Sequence, residues 1–183
     1  MKTIFAVGCA TLFAAAPALA HVTLADTKAS PNAYFVSAFR VGHGCAGSAT
    51  TALRVEFPET LLVVKPQPKP GWTVEIERAP LSPPRPGEGG KPVTERIKAI
   101  TWRGGPLPDD EFDAFGFMAK LPAEPGKLYF PAIQTCVQGE ARWVEIPAAS
   151  GARLSHPAPM LEVGGGEGDS MAGMDMSGTA PKP

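Results

Sequence analysis

A histidine directly follows a small-x-small triplet near the start of the chain. Residues 16–24 read APALAHVTL, so that Ala18-Leu19-Ala20 precedes His21. Cleavage after Ala20 frees the α-amine of His21, and this single residue then offers two nitrogens, the amine and Nδ1, which close a six-membered chelate ring. An ordinary α-amino group has a pKa of about 8, so a metal ion displaces its proton at little cost. Two nitrogens in a tetragonal arrangement completed by oxygen ligands suit Cu(II).

The segment before this histidine has the pattern of a secretory signal. Residues 1–20 combine one lysine, an apolar run and a final small-x-small site, and they are too short for a permanent membrane span. A competing cleavage after Ala18 would leave Leu19 first and abolish the chelate. We favour cleavage after Ala20, because Pro17 then lies at the boundary of the apolar core. The mature protein is predicted to be periplasmic or secreted, without a membrane anchor.

Three acidic residues are candidates for oxygen ligands opposite His21. Asp26 is close in sequence, whereas Glu56 and Glu145 lie on predicted strands that could run past the first one. We favour Glu145 slightly, because it is two residues from Trp143 and therefore on the same strand face. Taken singly, each of the three is more simply explained as an exposed strand carboxylate.

Trp143 suits a wall that limits solvent and orients the His21 ring. It is not itself a ligand, because a neutral indole nitrogen has no free lone pair. The alternative is an ordinary core tryptophan. His43, in VGHGC, and His156, in LSHPAP, have no ligand partner at i+2 or i+4, and both are predicted to be surface residues.

Two cysteines remain after removal of the signal, Cys45 and Cys136. In an oxidising compartment, two cysteines far apart in sequence indicate one structural disulfide. The alternative is a pair of metal ligands, which a CxxC spacing would favour and which this chain lacks. A bridge across roughly 90 residues is expected to stabilise the fold by about 4 kcal/mol before strain is subtracted.

Three methionines form an M-x-x-M-x-M cluster near the end of the chain, at Met171, Met174 and Met176. Methionine is normally buried, but this segment offers no core. Thioethers are soft donors that select Cu(I), and a flexible chain can wrap them around one ion. The alternative is compositional drift. Next to a Cu(II) terminus, the cluster predicts Cu(I) binding.

The elements that must position these residues are strands. Seven segments show β-branched or aromatic residues in partial alternation between Gly, Pro, Asn and Asp clusters: 34–41, 50–57, 72–78, 93–102, 111–121, 127–136 and 142–147. They predict an all-β domain over residues 21–148, an antiparallel β-sandwich of immunoglobulin-like or cupredoxin-like topology. Residues 79–92 are predicted to form a mobile surface loop, and residues 149–183 a disordered C-terminal tail.

Six segments together resemble the YcnI-like family of exported bacterial copper-binding domains: HVTL, GCAGSATTALRVEFPE, KPGWTVEI, WRGGPLPDDEFDAFGF, LYFPAIQTC and RWVEIP. The resemblance covers almost all of residues 21–148. It implies a cupredoxin-like β-sandwich that binds Cu(II) through the mature N-terminal histidine, in a monohistidine brace beside a tryptophan. On this chain the histidine corresponds to His21 and the tryptophan to Trp143.

These features predict an exported copper-binding protein for storage, buffering or transfer of the ion, and not an enzyme. A copper transporter or another periplasmic copper carrier is the expected partner. The formal charge of −1, which becomes −2 without Lys2, argues against a nucleic-acid partner. One alternative is a copper-dependent oxidative enzyme, which needs a second histidine imidazole from His43 or His156. Another is a metal-free interaction module of the envelope.

Overall fold

A computed structural model describes residues 21–148 and 154–164. The sequence predictions for residues 1–20, for residues 149–153 and for Met171, Met174 and Met176 lie outside these ranges. Within them the chain forms strands β1 (Thr23–Leu24), β2 (Lys28–Ala29), β3 (Tyr34–Val41), β4 (Thr50–Glu56), β5 (Val64–Pro66), β6 (Trp72–Pro86), β7 (Pro92–Leu107), β8 (Asp113–Lys120), β9 (Gly126–Tyr129), β10 (Ala132–Cys136), β11 (Glu140–Trp143) and β12 (Met160–Val163). No helix in the described ranges is long and apolar enough to cross a membrane.

The strands form three sheets, with orders β1-β3-β8-β5, β11-β10-β4-β7-β6 and β2-β12-β9. Pairing is antiparallel except between β12 and β2. The two larger sheets pack face to face, as the alternation of buried and exposed residues along the strands requires. This arrangement confirms the predicted all-β sandwich.

Aromatic side chains from both larger sheets meet in the core. Phe39 of β3 stacks on Phe117 of β8 with ring centroids 4.8 Å apart. Across the sandwich, Phe39 lies 6.5 Å from Trp102 of β7, and 6.1 Å from Phe57, which follows β4. All four rings are buried. Because large apolar rings dominate core energetics, this cluster holds the two sheets together.

The predicted disulfide is confirmed. Cys45, in the loop between β3 and β4, is bonded to Cys136 at the end of β10, with Cα atoms 5.9 Å apart. The bridge fastens the loop that contains His43 to the end of the β10–β11 hairpin.

The prediction of a mobile loop at residues 79–92 is wrong. Strand β6 extends to Pro86 and pairs with β7 as an arm that a turn at 87–91 closes, with an irregularity in the register between Pro80 and Arg85. Proline is tolerated here because β6 is the edge strand, where a missing N–H costs no ladder bond. Leu81 of the arm is buried, which gives the segment a packing contact.

A disordered tail over residues 149–183 was also predicted, and this is wrong for residues 154–164. Strand β12 lies between β2 and β9, and its Leu161 and Val163 are buried. Four residues, MLEV, are too few to show a period that distinguishes them from a polar segment. The predicted strand at 127–136 is divided into β9 and β10, because Phe130 and Pro131 interrupt it.

Replacing Leu161 with alanine tests whether β12 is part of the core. The side chain is fully buried, so we expect Leu161→Ala to lower the free energy of unfolding by about 3 kcal/mol. Urea denaturation followed by circular dichroism measures this. The neighbouring Glu162→Ala change, on the opposite face of the same strand, serves as the control and is expected to cost much less. Equal stability of both variants would show that β12 does not contribute to the core.

Candidate metal centre

The ring of His21 lies against a buried tryptophan. His21 immediately precedes Val22 and β1, and β1 pairs with β3. Val22 and Leu24 are buried and anchor this short segment in the core. The half-buried imidazole of His21 has its centroid 5.1 Å from that of Trp143, with the two planes at 55°. Two residues more than 120 positions apart in sequence are therefore in contact.

Trp143 is held in place by a buried hydrogen-bond network. It is the last residue of β11 and only 1% exposed, and its indole N–H donates to Gln134 Oε1 at 3.3 Å. The amide nitrogen of Gln134 donates in turn to the His43 carbonyl at 2.6 Å and to Thr50 Oγ1 at 2.8 Å. Trp143 is therefore both a core residue and a wall beside His21, and its ring orientation is fixed by Gln134.

Glu145 is two residues beyond Trp143 and is bonded to the segment that carries His156. Its Oε2 accepts a hydrogen bond from the backbone N–H of His156 at 2.7 Å. Backbone bonds from Glu145 N–H to the His156 carbonyl and from Ala158 N–H to the Glu145 carbonyl fasten the same segment. The ring of His156 is thereby held 5.3 Å from the ring of Trp143.

Glu56 faces away from the tryptophan. Val55, Ala132 and Trp143 lie side by side on β4, β10 and β11, and all three are buried. Because successive side chains of a strand point to opposite faces, Glu56 is directed to the outer face of the sheet. There its carboxylate forms an ion pair with Arg54 at 3.3 Å. The structure does not bring Glu56 to the proposed centre.

Asp26 has a local structural role. It is exposed, and its Oδ2 accepts a hydrogen bond from the Ser37 hydroxyl at 2.9 Å. Its own backbone N–H donates to the same hydroxyl oxygen at 3.3 Å. These bonds connect the turn after β1 to β3. The open cavity beside His21 has a volume of about 310 Å³ and is walled by β1 and by residues 157–160; neither Asp26 nor Glu145 lines it.

Two histidines that were predicted to lie at the surface are instead close to Trp143. The ring of His156 packs on the indole, and His43 lines a cavity together with Trp143 and His156. All three histidines of the chain are therefore near Trp143: the rings of His21 and His156 pack on it, and His43 shares a cavity with it. The position of His43 could have been predicted from the disulfide. A Cys45–Cys136 bond brings the loop that contains His43 to the hairpin that carries Trp143.

The donor set at His21 depends on its backbone nitrogen. In the described ranges, no group of three or more His, Cys, Asp or Glu side chains is arranged to hold a metal ion. Nor does any described group form a hydrogen bond with the His21 ring, so its nitrogens are available for coordination. The centre fits Cu(II) only where the α-amine is free and an oxygen completes the set. Among the three acidic candidates, Glu145 is the one bonded to the segment whose His156 ring packs on Trp143.

Comparison with known proteins gives a family and a fold. A family model described as "Domain of unknown function (DUF1775)" matches residues 21–163, from the histidine to the end of β12. No curated protein matches the chain. An uncharacterized protein from Nocardia farcinica with an immunoglobulin-like fold is 29% identical, with a TM-score of 0.60, over 78% of this chain and 97% of that one. A protein from Corynebacterium diphtheriae described as membrane anchored is 12% identical, with a TM-score of 0.38, over 80% and 34% of the respective chains.

Removing the amide of Gln134 tests the network behind Trp143. Gln134→Leu leaves the indole N–H and the His43 carbonyl without partners, so we expect a loss of about 3 kcal/mol in the free energy of unfolding. Urea unfolding followed by tryptophan fluorescence measures it. Gln138→Leu, at an exposed position in the same hairpin, is the matched control and should have a small effect. Similar costs for the two variants would contradict a special role for Gln134.

Proposed function

The chain belongs to the DUF1775 family, which includes the YcnI-like proteins, and we propose from this that it is an exported copper-binding protein. In this proposal His21 holds Cu(II), and the protein stores, buffers or transfers the ion without converting a substrate. The observation that supports it most is the half-buried His21 imidazole, packed 5.1 Å from the buried Trp143 ring beside an open cavity.

The chelate requires processing as well as folding. Before cleavage, the nitrogen of His21 is an amide and cannot bind the ion. After cleavage at Ala20, the α-amine and Nδ1 of one residue bind together. Because Val22 and Leu24 already bury this segment, little conformational freedom is lost on binding. Trp143 limits the positions of the ring and excludes water from one side of it.

Glu145 is the oxygen donor that we favour in this proposal, because it is two residues from Trp143 and bonded to the segment that carries His156. Its Oε2 is used by the His156 N–H, and within the described ranges Oε1 makes no hydrogen bond. In this proposal Oε1 is the atom that binds the ion. A carboxylate oxygen complements two nitrogens in a tetragonal Cu(II) site.

The remaining parts of the proposal concern the transport of copper. The signal at residues 1–20 directs the protein to the periplasm or the exterior of the cell, and cleavage after Ala20 releases it there. Met171, Met174 and Met176 bind Cu(I), which thioethers select. A copper transporter or another periplasmic copper carrier delivers or receives the ion.

Blocking the α-amine of His21 tests the chelate. The protein that starts at His21 should bind one tight equivalent of Cu(II), with a nitrogen-rich tetragonal paramagnetic spectrum. An otherwise identical protein with an acetylated α-amine at His21 should bind at least about 100-fold more weakly, or about 2.7 kcal/mol. Isothermal titration and electron paramagnetic resonance measure both forms. Equal affinity of the two forms would refute the proposed function, once intact mass has established the first residue of each.

Neutralising Glu145 tests the oxygen ligand. Glu145→Gln keeps an oxygen that can accept the His156 N–H bond but removes the negative charge, so we expect Cu(II) affinity to fall about 10-fold. Glu56→Gln is the matched control on the outer face and should leave affinity unchanged. Affinities come from competition with a chelator of known strength. If instead Glu56→Gln or Asp26→Asn weakened binding while Glu145→Gln did not, Glu145 would not be the ligand.

A further inference from the structure

Of the two ring nitrogens of His43, one forms a hydrogen bond and the other has no partner among the described residues. Its Nδ1 is hydrogen-bonded to the carbonyl oxygen of Gly44. A carbonyl can only accept, so the proton is on Nδ1 and the lone pair is on Nε2. That Nε2 is buried and has no hydrogen-bond partner in the described part of the chain. A buried imidazole nitrogen without a partner is destabilising unless another group binds it.

The free nitrogen belongs to a residue that shares a cavity with His156. The cavity has a volume of about 290 Å³, and its walls include His43, His156, Trp143 and the turn at residues 138–141. No residue of this wall also lines the cavity beside His21. The two cavities are therefore distinct, although both adjoin the region around Trp143.

The state of His43 is the one that a metal-bound imidazole adopts. Histidine ligands commonly donate their second ring N–H to a backbone carbonyl, which fixes the tautomer and the ring orientation. Gly44, which supplies the carbonyl, is itself held by a hydrogen bond from its N–H to Asp109 Oδ1 at 2.9 Å.

The number of side chains that can bind an ion in this cavity decides whether Cu(I) or Cu(II) suits it. Imidazole suits copper, but the described side chains offer no third His, Cys, Asp or Glu for a common site. Glu140, which also lines the cavity, forms an ion pair with Arg142 at 2.9 Å. Cu(I) is stable with two nearly linear nitrogen ligands, whereas Cu(II) and Zn(II) require more.

We propose that His43 Nε2 and the imidazole of His156 form a second copper site, for Cu(I), in the cavity beside Trp143. His156 is half-buried and forms the part of the site through which the ion enters. Its backbone is fastened by Glu145, so its ring is held near the site before the ion arrives. This site needs no free α-amine and is independent of the proposed Cu(II) function at His21.

A protein that lacks the other proposed copper ligands isolates this site. The full mature chain carries His21→Ala, which removes the chelate, and leucine at Met171, Met174 and Met176. Cu(I), prepared anaerobically with ascorbate so that the disulfide stays intact, is titrated against the chromogenic chelator bicinchoninate. We expect one equivalent to be retained. X-ray absorption should show scattering from two imidazoles.

Substitutions at the two histidines decide the assignment. His43→Gln and His156→Gln should each weaken Cu(I) binding by about 10- to 100-fold, and Glu140→Gln, in the same cavity, should not. Near-ultraviolet circular dichroism checks folding. Should His43→Gln fail to fold, the half-buried His156→Gln gives the decision alone. No retained Cu(I), or unchanged affinity in His156→Gln, would overturn this site and leave the Cu(II) titration at His21 unaffected.

Discussion

The hydrogen bond from the buried indole of Trp143 to Gln134 is the constraint on which the proposed centre depends. A buried indole N–H must find an acceptor, and Gln134 supplies it at 3.3 Å from the adjacent strand. The same amide donates to the His43 carbonyl and to Thr50, so it determines positions on three elements at once. Both residues of the indole–amide pair are 1% exposed, and a change in either would be transmitted to the other.

The disulfide extends this constraint to the loop before β4. Cys136 ends the strand that carries Gln134, and its bond to Cys45 holds the neighbouring His43 beside the same hairpin. Thr50, which accepts from Gln134, also makes a buried contact from Oγ1 to Cys136 Sγ at 3.8 Å. The position of His43 is thus determined twice, by the neighbouring covalent bond and by its carbonyl, whereas its Nε2 has no hydrogen-bond partner among the described residues.

The sequence predicted secondary structure well where the alternation of apolar and polar residues extended over a long continuous segment. The eight alternating residues of β3 were predicted with their observed bounds, and the pairing of the two cysteines followed from their number and compartment. The paired arm at 79–92 and strand β12 were missed because an edge position and a neighbouring strand decide them, and neither is visible in the local pattern. The contact of His21 with Trp143 came from the family resemblance. The approach of His156 arises from tertiary bonds to Glu145, which no spacing in the sequence encodes.

The arrangement around Trp143 separates the proposed sites by chemistry as well as by position. In the proposed Cu(II) site the donors are an amine, an imidazole and a carboxylate, a harder set that suits Cu(II). In the proposed Cu(I) site they are the imidazoles of His43 and His156, to which the described residues add no third His, Cys, Asp or Glu, and such a pair favours Cu(I). The fold provides both imidazole environments, but only proteolysis provides the amine. Cu(II) binding would therefore begin after export, whereas Cu(I) binding would require only the folded chain and its disulfide.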